Sequence, residues 1–389
     1  MTEVACLIVT NQFPPLVGGA GEVYAALARA AAGRIAVLCA SLDYRTGQRI
    51  PGWRDHDAAT SYPIIRIPRI RPLLTERGVG AELLVRAQVM AAVWRSHRRH
   101  HPRSVCIADD ETVGWLIRPA RAIGCRTLLY THGDDLAAGP GQERFHARRR
   151  RRFAQADRIF AVSAATAAEL CRVFDVNHQR VTVLPNGVDL ARFKPSASDE
   201  ALRTQLRLTG KRVLVTVARL VPRKGIDRMI EALPAIAAAI PDVHYLIVGD
   251  GVQREELRRL AATYRVTNRI TFVGELPQQQ VPRYLALAEL FVMPNRRLPN
   301  GETDGFGLVF LEANACRLPV IGGRAGGVPE VIVHGETGLL VDGTSVPDIT
   351  AAVIRVLTDR ALAARLAASG RERALRSGWE SRAQTFLAG

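Results

Sequence analysis

Lysine is almost absent from this chain of 389 residues. Only Lys194, Lys211 and Lys224 occur among 53 basic residues, so arginine carries nearly all of the positive charge, and the formal net charge is +16. A basic balance of this size suits nucleic acid, anionic lipid or phosphorylated small molecules as partners. The choice among these three classes therefore rests on motifs and not on composition.

Long apolar segments and paired cysteines are missing as well. No apolar run is long enough, and free enough of charge, to cross a bilayer. Residues 1–9 lack the basic start and the cleavage site of a secretory signal, and they predict a first β-strand. The six cysteines show none of the spacings typical of metal or redox sites. We therefore expect a cytoplasmic protein with reduced thiols and no metal or other cofactor.

Short apolar segments alternate with longer helical ones along the whole chain. A length of 389 residues exceeds what one hydrophobic core usually organises. The alternation predicts two doubly wound α/β domains with parallel sheets. The predicted strands are 7–9, 35–38, 105–108, 127–130 and 159–162, then 213–217, 244–248, 270–273, 290–293 and 319–321. Turn residues at 185–189 and a polar stretch at 194–200 place the boundary between the domains, 1–189 and 190–370.

Two carboxylates flank a Gly-Phe-Gly turn that leads into an apolar run. Asp304 and Glu312 are eight residues apart, with Gly305, Phe306 and Gly307 after the first. If a helix begins near Gly305, its N–H groups and dipole can hold a diphosphate, and Glu312, two turns on, can accept hydrogen bonds from ribose hydroxyls. An ordinary capped helix has a similar pattern.

Other turns at predicted strand ends give weaker evidence of a functional site. Gly18 and Gly19 follow the first strand and open a helix, where a phosphate can approach. Arg219 and Lys224 can neutralise a diphosphate, although such a basic loop can also be merely solvated. His132 ends another strand, where a lone histidine is more often packed than functional. The turn at 249–251 is most simply a strand-to-helix connection.

In this order the motifs resemble those of the family 4 retaining glycosyltransferases of GT-B fold. The resemblance covers nearly the whole chain and rests on residues 18–21, 131–133, 185–189, 249–251 and 326–330, Arg219, Lys224, Asp304 and Glu312. It implies two Rossmann-like domains that face each other across a cleft. The first would bind the acceptor and the second a nucleotide sugar, and a helix at 371–389 would cross back to the first.

The resemblance also implies roles for individual donor-binding residues. Glu312 would hold the ribose, and the backbone around Gly251, Gly274 and Glu275 would meet the nucleotide, with base selection near the last two. Amides at Gly18 and Gly19, and at Gly305, Phe306 and Gly307, would donate to the diphosphate.

Catalysis in such enzymes depends on stabilising the leaving diphosphate. Arg219 and Lys224 would carry that charge, and His132 would position the sugar. Retention would follow from attack on the face from which the diphosphate leaves, without a carboxylate nucleophile and without a metal. Asp304 departs from the glutamate of the family, so its contact with the sugar, or a substitute contact from Glu302, is an open question.

Residues 219–225 and 305–313 are most similar to those of bacterial lipid-directed mannosyltransferases of the phosphatidylinositol type. This similarity favours transfer of mannose from GDP-mannose to a lipid or lipid-linked glycan. A transferase that uses UDP-glucose or UDP-GlcNAc on a soluble or polysaccharide acceptor is the alternative.

Residues 81–103 have a pattern typical of a membrane-facing helix. Leu83, Ala87, Met90 and Trp94 recur at helical spacing, and a basic end follows with Arg95, Arg98 and Arg99. Such a helix can lie on anionic lipid, or it can pack on the core with a solvated basic end. The arginines at 148–152 form a second basic cluster.

Two other classes of protein compete with this hypothesis. A nucleic-acid-binding protein would explain the charge but not the ordered motifs, so we expect no nucleic acid partner. A nicotinamide-dependent oxidoreductase would use the first glycine loop. However, that loop lacks the third glycine of the dinucleotide motif, and no fitting acid ends the second strand, although Asp43 is not far away.

Overall fold

The protein folds into two compact units in this computed structural model. The structure describes residues 3–16, 18–74, 78–133, 136 and 143–389, and for residues 143–145 the backbone alone. One unit comprises Met1–Asn186 with Trp379–Gly389, and the other comprises Gly187–Gly378. Val17, Asp134 and Asp135, which adjoin the predicted glycine and histidine motifs, lie outside the described residues.

The first unit is built on a parallel sheet. Its seven strands in the described part of the chain are β1 Cys6–Val9, β2 Ile35–Ala40, β3 Ile64–Ile67, β4 Ser104–Ile107, β5 Arg126–Thr131, β6 Arg158–Ala161 and β7 Val181–Val183. Their order in the sheet is β3-β2-β1-β4-β5-β6-β7. The central strands are apolar and buried on both faces, as expected of a parallel sheet covered by helices.

Helices connect these strands and shield the sheet. They are α1 Gly19–Ala30, α2 Trp53–Ala58, α3 Val79–His100, α4 Asp110–Val113, α5 Ile117–Ala122, α6 Glu143–Gln155 and α7 Ala164–Phe174, with short 3₁₀ turns at Gly114–Leu116 and His178–Arg180. Ser163 caps α7 because its hydroxyl accepts the Thr166 N–H, and Asp109 caps α4 in the same way.

The second unit repeats this architecture with six parallel strands. They are β8 Arg212–Val217, β9 Val243–Val248, β10 Ile270–Gly274, β11 Leu290–Met293, β12 Val320–Gly323 and β13 Leu339–Val341, in the order β10-β9-β8-β11-β12-β13. The helices are α8 Glu200–Gln205, α9 Ile226–Ala239, α10 Arg254–Thr263, α11 Val281–Leu285, α12 Leu308–Ala315, α13 Val328–Val331, α14 Val346–Thr358 and α15 Arg360–Leu375, and 3₁₀ turns lie at Pro222–Lys224 and Thr267–Arg269.

The last helix, α16 (Trp379–Ala388), belongs to the first unit. It packs on α1, and its buried Phe386 ring lies 5.1 Å from the Phe160 ring and 6.2 Å from that of Tyr130. The returning segment therefore begins at Trp379 and not at residue 371 as predicted, because α15 continues through residues 371–375 and packs against α12 inside the second unit.

The predicted class of two Rossmann-like parallel α/β domains is confirmed, and all ten predicted strands are present within a few residues. Three further strands, β3, β7 and β13, are not predicted by the sequence pattern. Each lies at the edge of its sheet and has only three or four residues. Such short edge strands leave little periodic pattern in a sequence.

A buried histidine gives the second unit a pH dependence. His244, in β9, is buried and its Nε2 lies 2.9 Å from Thr271 Oγ1. Burial, and to a lesser extent the nearby Lys211 and Arg269, lower the pKa of His244 from 6.5 to about 4. The unfolded chain therefore binds a proton that the folded unit does not, at every pH between these two values.

We expect the free energy of unfolding to fall as the pH drops from about 6.5 towards 4, by up to about 3 kcal/mol from this residue. The His244→Gln variant should lose this part of the dependence. Urea unfolding at several pH values measures the effect. Parallel pH profiles for the variant and the wild type would contradict it.

Candidate functional site

Loops at one edge of the second sheet gather most of the predicted donor-binding residues. In a parallel sheet the carboxyl ends of the strands share an edge, and open α/β sheets bind ligands there. Arg219 and Lys224 follow β8, Gly251 follows β9, Glu275 follows β10, and Asp304 lies in the segment between β11 and α12. The edge therefore combines two cations and two carboxylates with glycine-containing turns.

Lys224 and Asp304 form a close ion pair at this edge. Lys224 Nζ lies 2.6 Å from Asp304 Oδ1, and Asp304 is only 5% exposed. Burial on this scale strengthens the attraction between the charges, and it would make an Asp304 carboxylate with no cationic neighbour strongly destabilising. Asp304 Oδ2 and Thr303 Oγ1 are buried and have no hydrogen-bond partner among the described residues. Both therefore keep a hydrogen-bonding capacity that the described residues do not use.

Arg223 is a further cation beside Lys224; it lies within the segment 219–225, but the sequence predicts no role of its own for it. It is buried, with Nε 3.6 Å from Asp304 Oδ1 and Nη1 3.5 Å from Glu302 Oε2. Glu302 is thus linked to the same cluster, while its side chain stays about one-third exposed. The cluster therefore combines two cations, Arg223 and Lys224, with two carboxylates.

The turn before α12 differs from its prediction in one respect. The helix begins at Leu308 and not near Gly305, because Gly307 takes the left-handed conformation (φ 88°) as its N-cap. Gly305 and Phe306 are buried, and the N–H groups of 305–307 lie ahead of the helix. Glu312 is consequently little more than one turn from the helix start, not two.

Glu312 has a partner that sequence reasoning missed. Its carboxylate is buried, and Oε1 accepts a hydrogen bond of 2.7 Å from Gln278 Nε2. Gln278 lies in the loop after β10, 34 residues earlier. A carboxylate oriented by a second side chain is well suited to bind hydroxyl groups in a fixed geometry.

The other predicted residues of this unit lie in the loops around the cluster. Arg219 and Glu275 are exposed, and Gly274 ends β10. The turn at Gly251 packs against Leu220, whose carbonyl oxygen would be 2.5 Å from a Cβ at position 251. The loop after β9 thus lies directly against the loop that carries Arg219.

In the first unit, the glycine loop opens α1 as predicted. Gly18 is the N-cap of α1 and Gly19 is its first residue. Gly19 is exposed, and a Cβ at this position would have no atom within 4 Å. Arg66, on β3, fixes the start of this loop. Its Nη2 donates to Pro14 O at 2.5 Å, and its guanidinium is paired with Asp57 at 2.8 and 2.9 Å.

His132 is oriented by a buried tyrosine of α1. Tyr24 Oη lies 2.8 Å from His132 Nε2 and donates its own proton to Ala108 O, also at 2.8 Å. The Tyr24 oxygen must therefore accept a hydrogen from the histidine, which places the proton of a neutral imidazole on Nε2. Tyr24 is a further residue that sequence reasoning missed.

Helix α3 carries the predicted basic end on its surface. Trp94 is 49% exposed, and the Arg98 guanidinium carbon lies 4.9 Å from its ring centre. Arg95, Arg98 and Arg99 are exposed. Of the predicted stripe, 83, 87 and 94 are exposed, whereas Met90 is half-buried and packs against the core. The buried face is a different one, formed by Val85, Val89, Ala92, Val93 and Ser96.

The arginines at 148–152 do not form a simple solvated cluster. Arg149 is 1% exposed, and its guanidinium binds the Asp110 carboxylate at 2.7 and 2.8 Å. It also lies over the rings of Phe153 and Phe174. One arginine of the run is therefore part of the core, which the sequence did not indicate because its partner lies 39 residues earlier.

The backbone of Asp304 is held by two glycines after β12. Gly327 N–H donates to Asp304 O at 2.9 Å. Gly326 has φ 58°, and a Cβ there would clash with Asp304 O and lie 2.7 Å from Thr303 Oγ1. The position of the ion-paired carboxylate thus depends on the absence of a side chain at 326.

Family comparisons agree with this division into two units. A family model described as Glycosyltransferase Family 4 matches residues 17–192, and one described as Glycosyl transferases group 1 matches residues 198–373.

Similar proteins cover nearly the whole chain. A GDP-mannose-dependent alpha-(1-6)-phosphatidylinositol monomannoside mannosyltransferase of Mycobacterium tuberculosis is 34% identical over 94% of this chain and 92% of its own. The protein of the same description from Mycolicibacterium smegmatis is 34% identical over 97% and 95%. Among solved structures, HepE of Anabaena in complex with UDP and glucose has a TM-score of 0.79 at 21% identity, with 98% of both chains covered. This structural likeness shows the fold.

The Gly326→Ala variant should destabilise the protein and displace Asp304. Alanine in the left-handed region costs about 1–2 kcal/mol, and the clash adds about 1–3 kcal/mol. Gly335→Ala is the matched control, because Gly335 also has positive φ (78°) but no atom within 4 Å of its Cβ position. Urea unfolding compares the two variants. Equal losses of stability would show that the contact with Asp304 is unimportant.

Proposed function

The chain is a glycosyltransferase and belongs to the GT-B family 4 glycosyltransferases, and on this premise we propose that it transfers mannose from GDP-mannose to a lipid acceptor of the phosphatidylinositol type, with retention of configuration. The choice of donor and acceptor rests on one observation. The chain is 34% identical, over 94% of its length, to an enzyme described by that donor and that lipid. The arrangement of cations and carboxylates at the edge of the second sheet supports the reaction.

Neutralisation of the leaving diphosphate is the main task of the proposed site. Arg219 and Lys224 are assigned to it, together with the backbone N–H groups of 305–307, and the proposal requires no metal ion. Lys224 is held by Asp304 at 2.6 Å, so it stays ordered before the donor arrives. Charges fixed in advance need little reorganisation as negative charge develops on the phosphate oxygens.

The two carboxylates have different tasks in this proposal. Glu312, held by Gln278, accepts hydrogen bonds from the ribose hydroxyls. Asp304 uses Oδ1 for Lys224 and keeps Oδ2 for a hydroxyl group of the sugar, beside Thr303 Oγ1. The shorter aspartate can thus serve both the cation and the sugar, and Glu302 remains bound to Arg223.

Bond exchange at the sugar needs no protein nucleophile. The bond between the anomeric carbon and the diphosphate oxygen breaks, and the acceptor oxygen bonds to the same face of the sugar. The acceptor's proton passes to the departing phosphate oxygen. His132 positions the sugar, and Tyr24 fixes the orientation of its ring.

Loss of Lys224 should abolish most of the activity but not the fold. Asp304 would keep a cationic neighbour in Arg223, with Nε at 3.6 Å. We expect Lys224→Ala to lower the rate of mannosyl transfer by a factor on the order of 100 or more. The measurement is transfer of radiolabelled mannose from GDP-mannose to phosphatidylinositol mannoside in mixed micelles.

A panel of GDP, UDP and ADP sugars tests the donor in the same preparations. Thermal unfolding of the wild type should shift most with GDP-mannose, and Lys224→Ala should reduce that shift. Lys211→Ala, which removes an exposed lysine elsewhere, is the control and should behave like the wild type. An unchanged transfer rate in Lys224→Ala would refute the assignment, and a larger shift with UDP-glucose would refute the donor.

A lipid acceptor requires contact with a membrane, and we infer that α3 supplies it. In the part of the chain that the structure describes, every helix is too short or too polar to span a bilayer. Leu83, Leu84 and Trp94 are each about half exposed or more, and Arg95, Arg98 and Arg99 extend from the same helix. Exposed aromatic and aliphatic groups beside arginines suit the interface of an anionic bilayer.

Removal of two of these charges should weaken membrane binding. Each arginine near an anionic surface contributes about 1 kcal/mol, so Arg98→Gln with Arg99→Gln should lower the partition coefficient roughly 30-fold. Co-sedimentation with vesicles that contain anionic phospholipid measures this. The matched control is Arg258→Gln with Arg376→Gln, two exposed arginines of the second unit. Equal binding of both double variants, or binding independent of anionic lipid, would exclude this surface.

A further inference from the structure

The first unit contains a cavity that none of the predicted site residues lines. Its volume is about 400 Å³, and it lies between the segment after β3 and helices α3, α4 and α6. The residues that define its character are Arg71, Arg86, Arg148, Arg152, Glu111 and Trp115. Four arginines in one cavity of this size are suited to an anion with several acceptor oxygens.

Positive charge exceeds negative charge in this arginine pocket. The four arginines face two carboxylates, Glu82 and Glu111. Arg86 is paired with Glu82, and its guanidinium lies 5.4 Å from the Trp115 ring centre. Its buried Nε has no hydrogen-bond partner in the described part of the chain. An unsatisfied donor of a cation inside a polar cavity indicates a missing acceptor.

The titration of Arg152 agrees with this excess of charge. Burial lowers the pKa of Arg152, and repulsion from Arg148, and less from Arg86 and Arg149, adds to it, against the opposing attraction of Asp110. An anion in the pocket would relieve the repulsion among the guanidinium groups.

A rigid frame holds the arginine pocket open. Arg149 binds the buried Asp110 carboxylate with two hydrogen bonds, and Arg152 donates to the carbonyl oxygen of Asp110. Both arginines lie on α6, and Asp110 begins α4. These contacts fix α6 on α4 without a ligand, so binding would need little rearrangement.

The position of the pocket relates it to the acceptor. It lies where β3 and β4 end, on the same edge of the first sheet as the glycine loop after β1 and His132 after β5. Leu74, Leu83 and Leu84, on the segments that line the pocket, are exposed. An amphiphilic molecule could therefore place an anionic group among the arginines and its acyl chains along these side chains.

We propose that the arginine pocket binds the phosphodiester of a glycerophospholipid headgroup, which is the anionic part of the acceptor. The proposal rests on the proposed function for the role of the ligand, but not for its binding. Guanidinium groups from α3 and α6 donate to the phosphate oxygens, and the pocket orients the headgroup relative to His132. Arg71, Arg86, Arg148 and Arg152 are thus positioning residues for the acceptor.

Calorimetric titration with glycerophosphoinositol, the deacylated headgroup, tests this without any transfer assay. We expect Arg86→Gln to weaken binding about tenfold or more, because one charge-assisted contact is lost. Glu111→Gln should tighten it roughly two- to fivefold at low salt, because a repelling charge is removed. Opposite effects of two substitutions in one pocket cannot arise from misfolding. Arg103→Gln, at an exposed arginine of the same unit, is the control.

The test has two further parts, a titration with inorganic phosphate and an assay with vesicles. Inorganic phosphate that binds as tightly as glycerophosphoinositol, or three variants with equal affinity for the headgroup, would overturn the proposal. With vesicles, Arg86→Gln should raise the KM for the lipid acceptor and leave the KM for the donor unchanged. If the headgroup binds as expected but no mannose is transferred, the proposed function fails and the pocket stands. If transfer occurs with a normal acceptor KM in Arg86→Gln, only the pocket is refuted.

Discussion

The ion pair between Lys224 and Asp304 is the contact on which the candidate donor site depends. It joins the loop after β8 to the loop after β11, and its carboxylate is buried. A buried pair of charges offsets its desolvation only with close geometry and additional donors. Arg223 supplies a second cation, and Gly327 fixes the backbone of Asp304. The loops therefore hold fixed charges at the edge of the sheet before a ligand binds.

The fixed backbone around residue 304 makes the length of its side chain important. Because the main chain is fixed by Gly326 and Gly327, the reach of the carboxylate is set by the side chain alone. Aspartate is one methylene shorter than glutamate. It reaches Lys224 with one oxygen and leaves the other buried without a hydrogen-bond partner in the described part of the chain. A carboxylate contact further from the backbone would require glutamate at this position.

Sequence patterns predict the sheets better than they predict contacts between loops. Central strands such as β9 are six buried residues in a row, most of them apolar, and turn residues bound them, which distinguishes them from helices of similar length. Short edge strands carry no such signal. Tyr24 contacts His132 across 108 positions of the sequence, and Gln278 contacts Glu312 across 34 positions. No local sequence pattern around one residue of such a pair predicts its partner. Motifs could therefore identify His132 and Glu312, but only the fold could identify what orients them.

The preference for arginine over lysine also has structural consequences, which the net charge of +16 does not reveal. Arg66, Arg149 and Arg223 have buried side chains, and each is paired with carboxylates within its own unit. The planar guanidinium suits such sites because it can donate several hydrogen bonds in fixed directions, which an ammonium group cannot. Arginine thus builds the frame as well as the binding surface. In the arginine pocket and at the end of α3, arginines outnumber their carboxylate partners, so positive charge is available to ligands there.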